Sequence, residues 1–464
     1  MIFSSLTFLF AYLVVTLALY FVAPLKWRNV LLLLTSLFFY GWGEPVYILI
    51  MFLSILIDYA HGLLVEKYRD DDKKARWFVG QSVVFNLLLL GFFKYWDFLA
   101  ANLSLIPGID LPQLGIPLPI GISFFTFQTM SYTIDVYRKD APVQRNILTF
   151  GTFVTMFPQL IAGPIVKYKT VAKELNYRVH TTEGFALGAR RFTVGLAKKV
   201  LLANSIGALW DTCLAAQKAG TLTAFGGWMG LFAYGFQIYF DFSGYSDMAI
   251  GLGQMMGFRF NENFNYPYLS ASVTEFWRRW HMSLTDWFRE YLYIPLGGNR
   301  GGTAKTLRNI ILVWFCTGFW HGASWNFILW GLYFAAWLIL EKYILRDILK
   351  KIPAAIKHFY TIIVVFVGWG IFAMEDLSVC GSYLSACLGG APLWSAADAY
   401  RLKSYAVTFI LLILASTTLG KTMWTRLPER AKQVLTPILM GAGLVICTAY
   451  LVDGSYNPFL YFRF

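Results

Sequence analysis

The sequence predicts an all-α membrane protein, a polytopic helical bundle, and three observations carry that prediction. Of 464 residues, 57% are hydrophobic, 18% aromatic and only 14% charged, where an ordinary soluble domain carries roughly 25% charged residues. Apolar windows near the ~20 residues of a helical crossing recur along the whole chain. No compact soluble block is left between them, so the expectation is one integral-membrane domain over 1–464.

In order, the apolar windows fall at 3–21, 30–40, 46–65, 78–93, 121–137, 148–166, 226–242, 310–327, 328–345, 360–374, 406–419 and 434–451. That is about ten to twelve spans, with the shorter windows tilted or re-entrant. The first window lacks a basic start and a small-residue cleavage pattern, so it reads as a retained span. Residues 66–76 form a charged loop whose two signs nearly cancel. Residues 101–118 carry Pro107, Gly108, Pro112, Gly115 and Pro117 and read as a loop. The stretch 167–199 is rich in Lys and Arg and is expected on the cytoplasmic face. Residues 377–398 are Gly/Ser-rich and charge-poor, a loop on the opposite face.

The net charge is +13. Its basic residues sit in short segments between apolar runs, as cytoplasmic loops do. That argues against a nucleic-acid partner and for anionic membrane lipid or an acidic donor. Cys213, Cys316, Cys380, Cys387 and Cys447 make no CxxC pair; Cys380 and Cys387 are close enough in sequence to pair in an oxidising compartment.

Residues 270–308 are too polar to span and too aromatic for a plain loop. Phe276, Trp277, Trp280, Leu284, Trp287, Phe288, Tyr291 and Leu292 recur at helical spacing, with Arg278, Arg279, Asp286, Arg289 and Glu290 between them. This predicts an interfacial amphipathic helix ended by Pro295-Leu296-Gly297-Gly298.

The chain has five histidines. His61 follows Asp58 in a span and reads as its structural partner, while His180 and His358 lie in basic, solvated-looking surroundings. His321 stands in the apolar run Phe319-Trp320-His321-Gly322. A titratable ring there needs a reason, and imidazole is the side chain best suited to move a proton near neutral pH. His281, 40 residues earlier (321 − 281), lies in the amphipathic segment.

Four strings stand in order: Asp241-Phe242-Ser243-Gly244-Tyr245-Ser246-Asp247-Met248-Ala249, Phe276-Trp277-Arg278-Arg279-Trp280-His281-Met282-Ser283-Leu284, Tyr293-Ile294-Pro295-Leu296-Gly297-Gly298-Asn299, and Phe319-Trp320-His321-Gly322. With Phe157-Pro158-Gln159-Leu160-Ile161-Ala162-Gly163-Pro164-Ile165 they make the chain resemble the membrane-bound O-acyltransferase family, in its bacterial polysaccharide-acetylating branch. The resemblance covers nearly the whole chain. It implies a bundle around a transmembrane tunnel in the bacterial inner membrane. It also implies that His321 matches the family's invariant histidine and His281 a second, variable position. It departs at Gln159, where some relatives carry histidine, so no third histidine is expected in the chemistry.

The implied function is acyl transfer from a cytoplasmic thioester, acetyl-CoA or an acyl carrier, toward an envelope or secreted polysaccharide. A separate extracytoplasmic acetyltransferase would finish the reaction. Such transfer needs a base for the acceptor hydroxyl and donors for an oxyanion. His321 is the candidate base and His281 its support. Trp320 and Trp325, with Trp330, are expected to exclude water. Arg278 and Arg279 could grip donor phosphates or lipid headgroups. Asn326 suits an oxyanion contact less well than an interhelical hydrogen bond. Asp241, Ser243, Tyr245 and Asp247 read as groups holding a broken helix together, and Asp241 also as a substrate contact. No metal and no resident cofactor are expected.

The segment 456–464 is an aromatic tail. By analogy with a partner peptide of the related D-alanylation system, Tyr461 could accept the acyl group as an aryl ester; an interfacial anchor is the alternative. A D-alanyl or other acyl exporter of the same family, a transporter and a non-catalytic scaffold remain the competing functions, although the interrupted half-repeats of a transporter are missing.

Overall fold

The computed structural model describes residues 1–454, 456–458 and 460. Among these residues the secondary structure is helical and contains no strand, as expected for an all-α chain. Five helical stretches are long and apolar enough to cross a membrane: Ile48–Lys67, Asp72–Leu103, Thr182–Lys218, Ala354–Ala373 and Glu429–Asp453. Ala396–Ala415 and Leu419–Arg426, bent by 64°, would make a sixth. That is fewer full crossings than the apolar windows suggested. The 148–166 window, for example, holds two short helices, Ile147–Thr155 and Phe157–Leu160, and then runs on without helix. Pro158 and Pro164 explain the interruption.

Contacts group the chain into two compact units, Met1–Thr193 with Tyr245–Asn261, and Val194–Gly244 with Glu262–Phe464. In the first unit a polar knot is buried between Ile48–Lys67, Asp72–Leu90 and Ile122–Arg138. Asp58 accepts from Ser82 Oγ at 2.5 Å and from Asn86 Nδ2 at 2.8 Å, and Thr129 Oγ1 donates to Asn86 Oδ1 at 3.0 Å. A carboxylate in an apolar span is tolerated when its oxygens are bonded in this way. His61 is not among its hydrogen-bond partners; the Nδ1 of His61 lies 2.8 Å from the Ile57 carbonyl instead.

His180 is also different from expectation. It is half-buried, with Nδ1 2.9 Å from Arg28 and Nε2 2.8 Å from Tyr20 Oη. His358, in the second unit, lies 3.2 Å from the Ser270 carbonyl and is half-buried as well.

Two further expectations are corrected, the broken helix at 241–247 and the loop at 377–398. Residues 241–247 do not bridge a broken helix; they lie inside one continuous helix, Ala224–Met255. Within the basic stretch 167–199, whose expected placement rests on charge, Tyr168–Asn176 and Thr182–Ala197 are helical. The 377–398 stretch forms the helix Leu377–Ser385 and a π-turn, Ala386–Gly390, before the next helix starts at Ala396. All five cysteines are free, Cys380 and Cys387 included.

The 270–308 segment is not one amphipathic helix. It folds as Val273–Arg279 and Met282–Phe288, followed by the π-turn Arg289–Tyr293. The break falls at His281, whose φ is +44°. The aromatic side chains Phe276, Trp277, Trp280, Trp287 and Phe288 are buried in protein. Periodicity reported their burial correctly, yet could not see a one-residue left-handed break.

Candidate active site

His321 is the last residue of the helix Thr303–His321. Residues 322–324 turn the chain into the helix Trp325–Tyr343, so the imidazole sits at a hairpin corner. The two helices touch backbone to backbone. A Cβ at Gly318 would lie 2.2 Å from the Phe327 carbonyl oxygen, and one at Gly331 2.3 Å from the Trp314 carbonyl oxygen. Only glycine allows that approach, the usual small-residue contact of membrane helices. The His321 ring is buried and walled by aromatic rings: Trp320 at 5.0 Å, Trp330 at 5.0 Å and Phe372 at 5.3 Å.

His281 reaches the same place from another element. The helix Val273–Arg279 starts with Ser272, whose side chain accepts from the Glu275 N–H at 3.0 Å. Its first turn is capped from outside by the buried carboxylate of Glu341, which accepts from Val273 N at 2.6 Å, Thr274 N at 2.8 Å and Thr274 Oγ1 at 2.6 Å. A carboxylate at a helix N-terminus meets both the orphan N–H groups and the helix dipole. Glu341 belongs to the helix that follows the His321 corner, so one side chain ties the two histidine-bearing segments together.

The left-handed backbone of His281 is strained by about 1–3 kcal/mol. Flanking hydrogen bonds hold it: Met282 N to Asn263 O at 3.0 Å, and Asn265 N to Arg279 O at 2.9 Å. The ring is fixed by Asn263. Asn263 Oδ1 accepts from Ser283 N at 3.3 Å and Ser283 Oγ at 2.9 Å, and lies 3.1 Å from His281 Nδ1. A backbone N–H can only donate, so this atom is the amide oxygen. Nδ1 therefore carries hydrogen, and in the neutral ring Nε2 carries the lone pair. Phe242 meets the ring edge-on at 4.7 Å, and Trp320 lies 6.2 Å away.

Both histidines line one cavity of about 200 Å³. Its other walls include Trp277, Trp280, Leu284, Phe288 and Trp314, with Thr285, Arg289, Tyr293 and Thr317 as polar members. Aromatic packing stiffens the wall: Trp280 lies 4.6 Å from Trp369, and Trp277 4.7 Å from Trp314. Such pairs are worth about 0.5–1.5 kcal/mol each beyond burial. A second, apolar cavity of about 610 Å³ holds neither His281 nor His321.

The remaining candidates fall into place or out of it. Trp320 packs on both imidazoles. Trp325 is 54% exposed and does not wall the site. Asn326 donates to the Ile371 and Phe372 carbonyls at 3.3 and 3.0 Å, an interhelical bond that leaves the oxyanion reading without support. Arg279 is engaged by Glu275 at 2.7 Å, and Arg278 is exposed; neither borders the cavity. Asp241 does not border it either, being bound to Lys199 at 2.7 Å. Tyr461 lies outside the described residues. Sequence reading missed Asn263, Glu341 and Arg289 as site-building residues. Glu341 left one signal, a carboxylate near the end of an apolar helix; Asn263 left none beyond polarity.

The model of the membrane-bound O-acyltransferase family matches residues 136–384. The chain is 39% identical to the probable alginate O-acetylase AlgI of Azotobacter vinelandii, with 100% of both chains covered. It is 42% identical to the protein of that name in Pseudomonas aeruginosa, over 90% of this chain and 81% of the relative. To the peptidoglycan O-acetyltransferase of Helicobacter pylori it is 35% identical, over 84% of this chain and 80% of the relative.

Proposed function

This chain belongs to the membrane-bound O-acyltransferase family, and we propose that it moves acetyl from a cytoplasmic thioester across the bacterial inner membrane for O-acetylation of an envelope or secreted polysaccharide. It is a multi-pass membrane protein and an O-acyltransferase. The observation that supports the finer reading is the shared cavity. Two imidazoles from separate elements line a space of about 200 Å³, smaller than the roughly 300–1,000 Å³ of pockets for drug-sized ligands. A short acyl group fits that volume.

In the proposed reaction the acceptor oxygen attacks the thioester carbonyl carbon while its proton passes to His321. The tetrahedral intermediate collapses, the C–S bond breaks, and the leaving sulfur takes the proton back from the imidazolium. The products are an ester and a free thiol. Base assistance of this kind contributes roughly 10²–10⁴ in rate. His281, with hydrogen held on Nδ1, offers Nε2 to the same space. Acetyl-CoA is the proposed donor, with an acyl carrier as the other possibility. We assign Tyr461 as first acceptor, forming an aryl ester, and an extracytoplasmic acetyltransferase as the partner that completes transfer to polymer. The tunnel implied by the family belongs to this proposal as the acyl route.

The test uses purified protein in detergent with radiolabelled acetyl-CoA. Hydrolysis or self-acetylation should fall by about 10²–10⁴ in His321→Ala. Turnover undiminished by that substitution would overturn the proposal.

A further inference from the structure

We infer that the buried pair Lys199–Asp241 is a clasp for the C-terminal segment, a pair of positioning residues that sets the register in which the tail enters the site. The inference rests on the tail-acceptor reading above and adds the machinery that would hold the tail.

Lys199 lies in the π-turn Lys198–Ala203, and Asp241 in the helix Ala224–Met255. Both side chains are 2% exposed, and their charged atoms are 2.7 Å apart. An ammonium has three hydrogens and a carboxylate two oxygens to satisfy. Asp241 Oδ1 faces the ammonium as its counter-ion, and Asn204 Oδ1, at 3.0 Å, accepts one hydrogen. The tail supplies the rest through its main chain. The Pro458 carbonyl accepts from Lys199 Nζ, and Leu460 N–H donates to Asp241 Oδ2 at 3.1 Å.

The flanks continue the match. Asn204 Nδ2 donates to Asn457 Oδ1 at 3.1 Å, and Tyr456 Oη donates to Asp211 Oδ2 at 2.8 Å. Tyr456 lies against Gly207, where a Cβ would come within 2.7 Å of its hydroxyl.

Stability alone does not call for such a pair. Replacing a buried ion pair by apolar residues of similar volume is often neutral or stabilising, and the best-attested use of a retained pair is registry. Here the main-chain pair ties the tail down, and the side-chain contacts of Asn457 and Tyr456 select one register over its neighbours. The location matters as well. Asp241 directly precedes Phe242, whose ring packs edge-on against His281 at 4.7 Å. The clasp thus ties Leu460, the residue before Tyr461 in sequence, to the helix that carries Phe242 to the active site.

The experiment places a reporter thiol at Asn457→Cys in the full-length protein in nanodiscs and measures its labelling by a maleimide, with the parent chain correcting for native cysteines. Labelling should be slow in the parent background. It should accelerate at least tenfold in the apolar double variant Lys199→Met/Asp241→Leu, assayed alongside its unfolding temperature. A second variant leaves the bundle untouched: one glycine inserted between Asn457 and Pro458 shifts the register. It should accelerate labelling similarly and lower the ratio of acyl transfer to thioester hydrolysis at least tenfold. Unchanged labelling in the folded double variant, or an unchanged ratio in the insertion, would overturn the clasp. Tyr461→Phe separates the two ideas: normal acetylation in that variant defeats the relay, while slow labelling at 457 that still depends on Lys199 and Asp241 keeps the clasp.

Discussion

The imidazole of His281 and the amide of Asn263 are 3.1 Å apart, Nδ1 to Oδ1, and that contact fixes both the orientation and the tautomer of a ring set in left-handed backbone. Removing the acceptor should therefore act on turnover more than on binding. Asn263→Leu is expected to lower kcat roughly tenfold or more, in keeping with about 1.5 kcal/mol for a lost buried hydrogen bond. Asn263→Asp keeps an acceptor and should recover most of the loss. Steady-state kinetics of thioester turnover in the two variants checks this; equal kcat in both would refute the orienting role.

Glu341 joins the two halves of the site. Glu341→Ala strips the N–H groups of Val273 and Thr274 of their acceptor, together with the hydroxyls of Thr274 and Tyr360. Loss of a helix cap costs about 0.5–2 kcal/mol, and leaving buried donors unpaired adds to it. The unfolding temperature in detergent should drop and activity should fall with it. Glu341→Gln, which keeps one acceptor oxygen, should lie between the two. A variant as stable and active as the parent would show that the cap is dispensable.

Acyl-chain selectivity follows from cavity size. Leu284 is buried in the cavity wall. Leu284→Ala should open room for two more methylenes, worth about 0.8 kcal/mol each. Transfer from butyryl-CoA relative to acetyl-CoA should then rise roughly tenfold, as measured in competition. An unaltered preference would mean that this cavity does not hold the acyl group.

One loop histidine gives a pH dependence. Burial, followed by the charges of Arg28 and Arg178, holds His180 below its ordinary value of 6.5. A lowered value means that the unfolded chain takes up a proton the folded chain resists, so stability rises with pH in that window. The contribution is present above about 6.5 and is lost as pH falls below it. His180→Asn should flatten the acid side of the stability profile below about pH 6.5 in thermal melts. The same slope with and without the ring would disprove the assignment.

Composition and periodicity settled the helical membrane class, because apolar windows of crossing length have few other uses. His321 and His281 stood out in the sequence for a related reason: buried imidazole is expensive, and local text shows it in apolar or aromatic surroundings. Trp320 and the interhelical role of Asn326 were legible as neighbours of His321. What the chain could not show locally was long-range pairing. Glu341 caps a helix 68 residues away, and Asn263 orients a ring 18 residues away. Trp325 is adjacent to the motif yet exposed, because a three-residue turn reverses the chain before it. The left-handed break at His281 has no period to betray it, and hydropathy windows cannot tell a span from a short helix buried among aromatic rings. Tertiary structure decided these points because side chains from distant segments, not neighbours in sequence, satisfy the buried polar groups and fill the cavity walls.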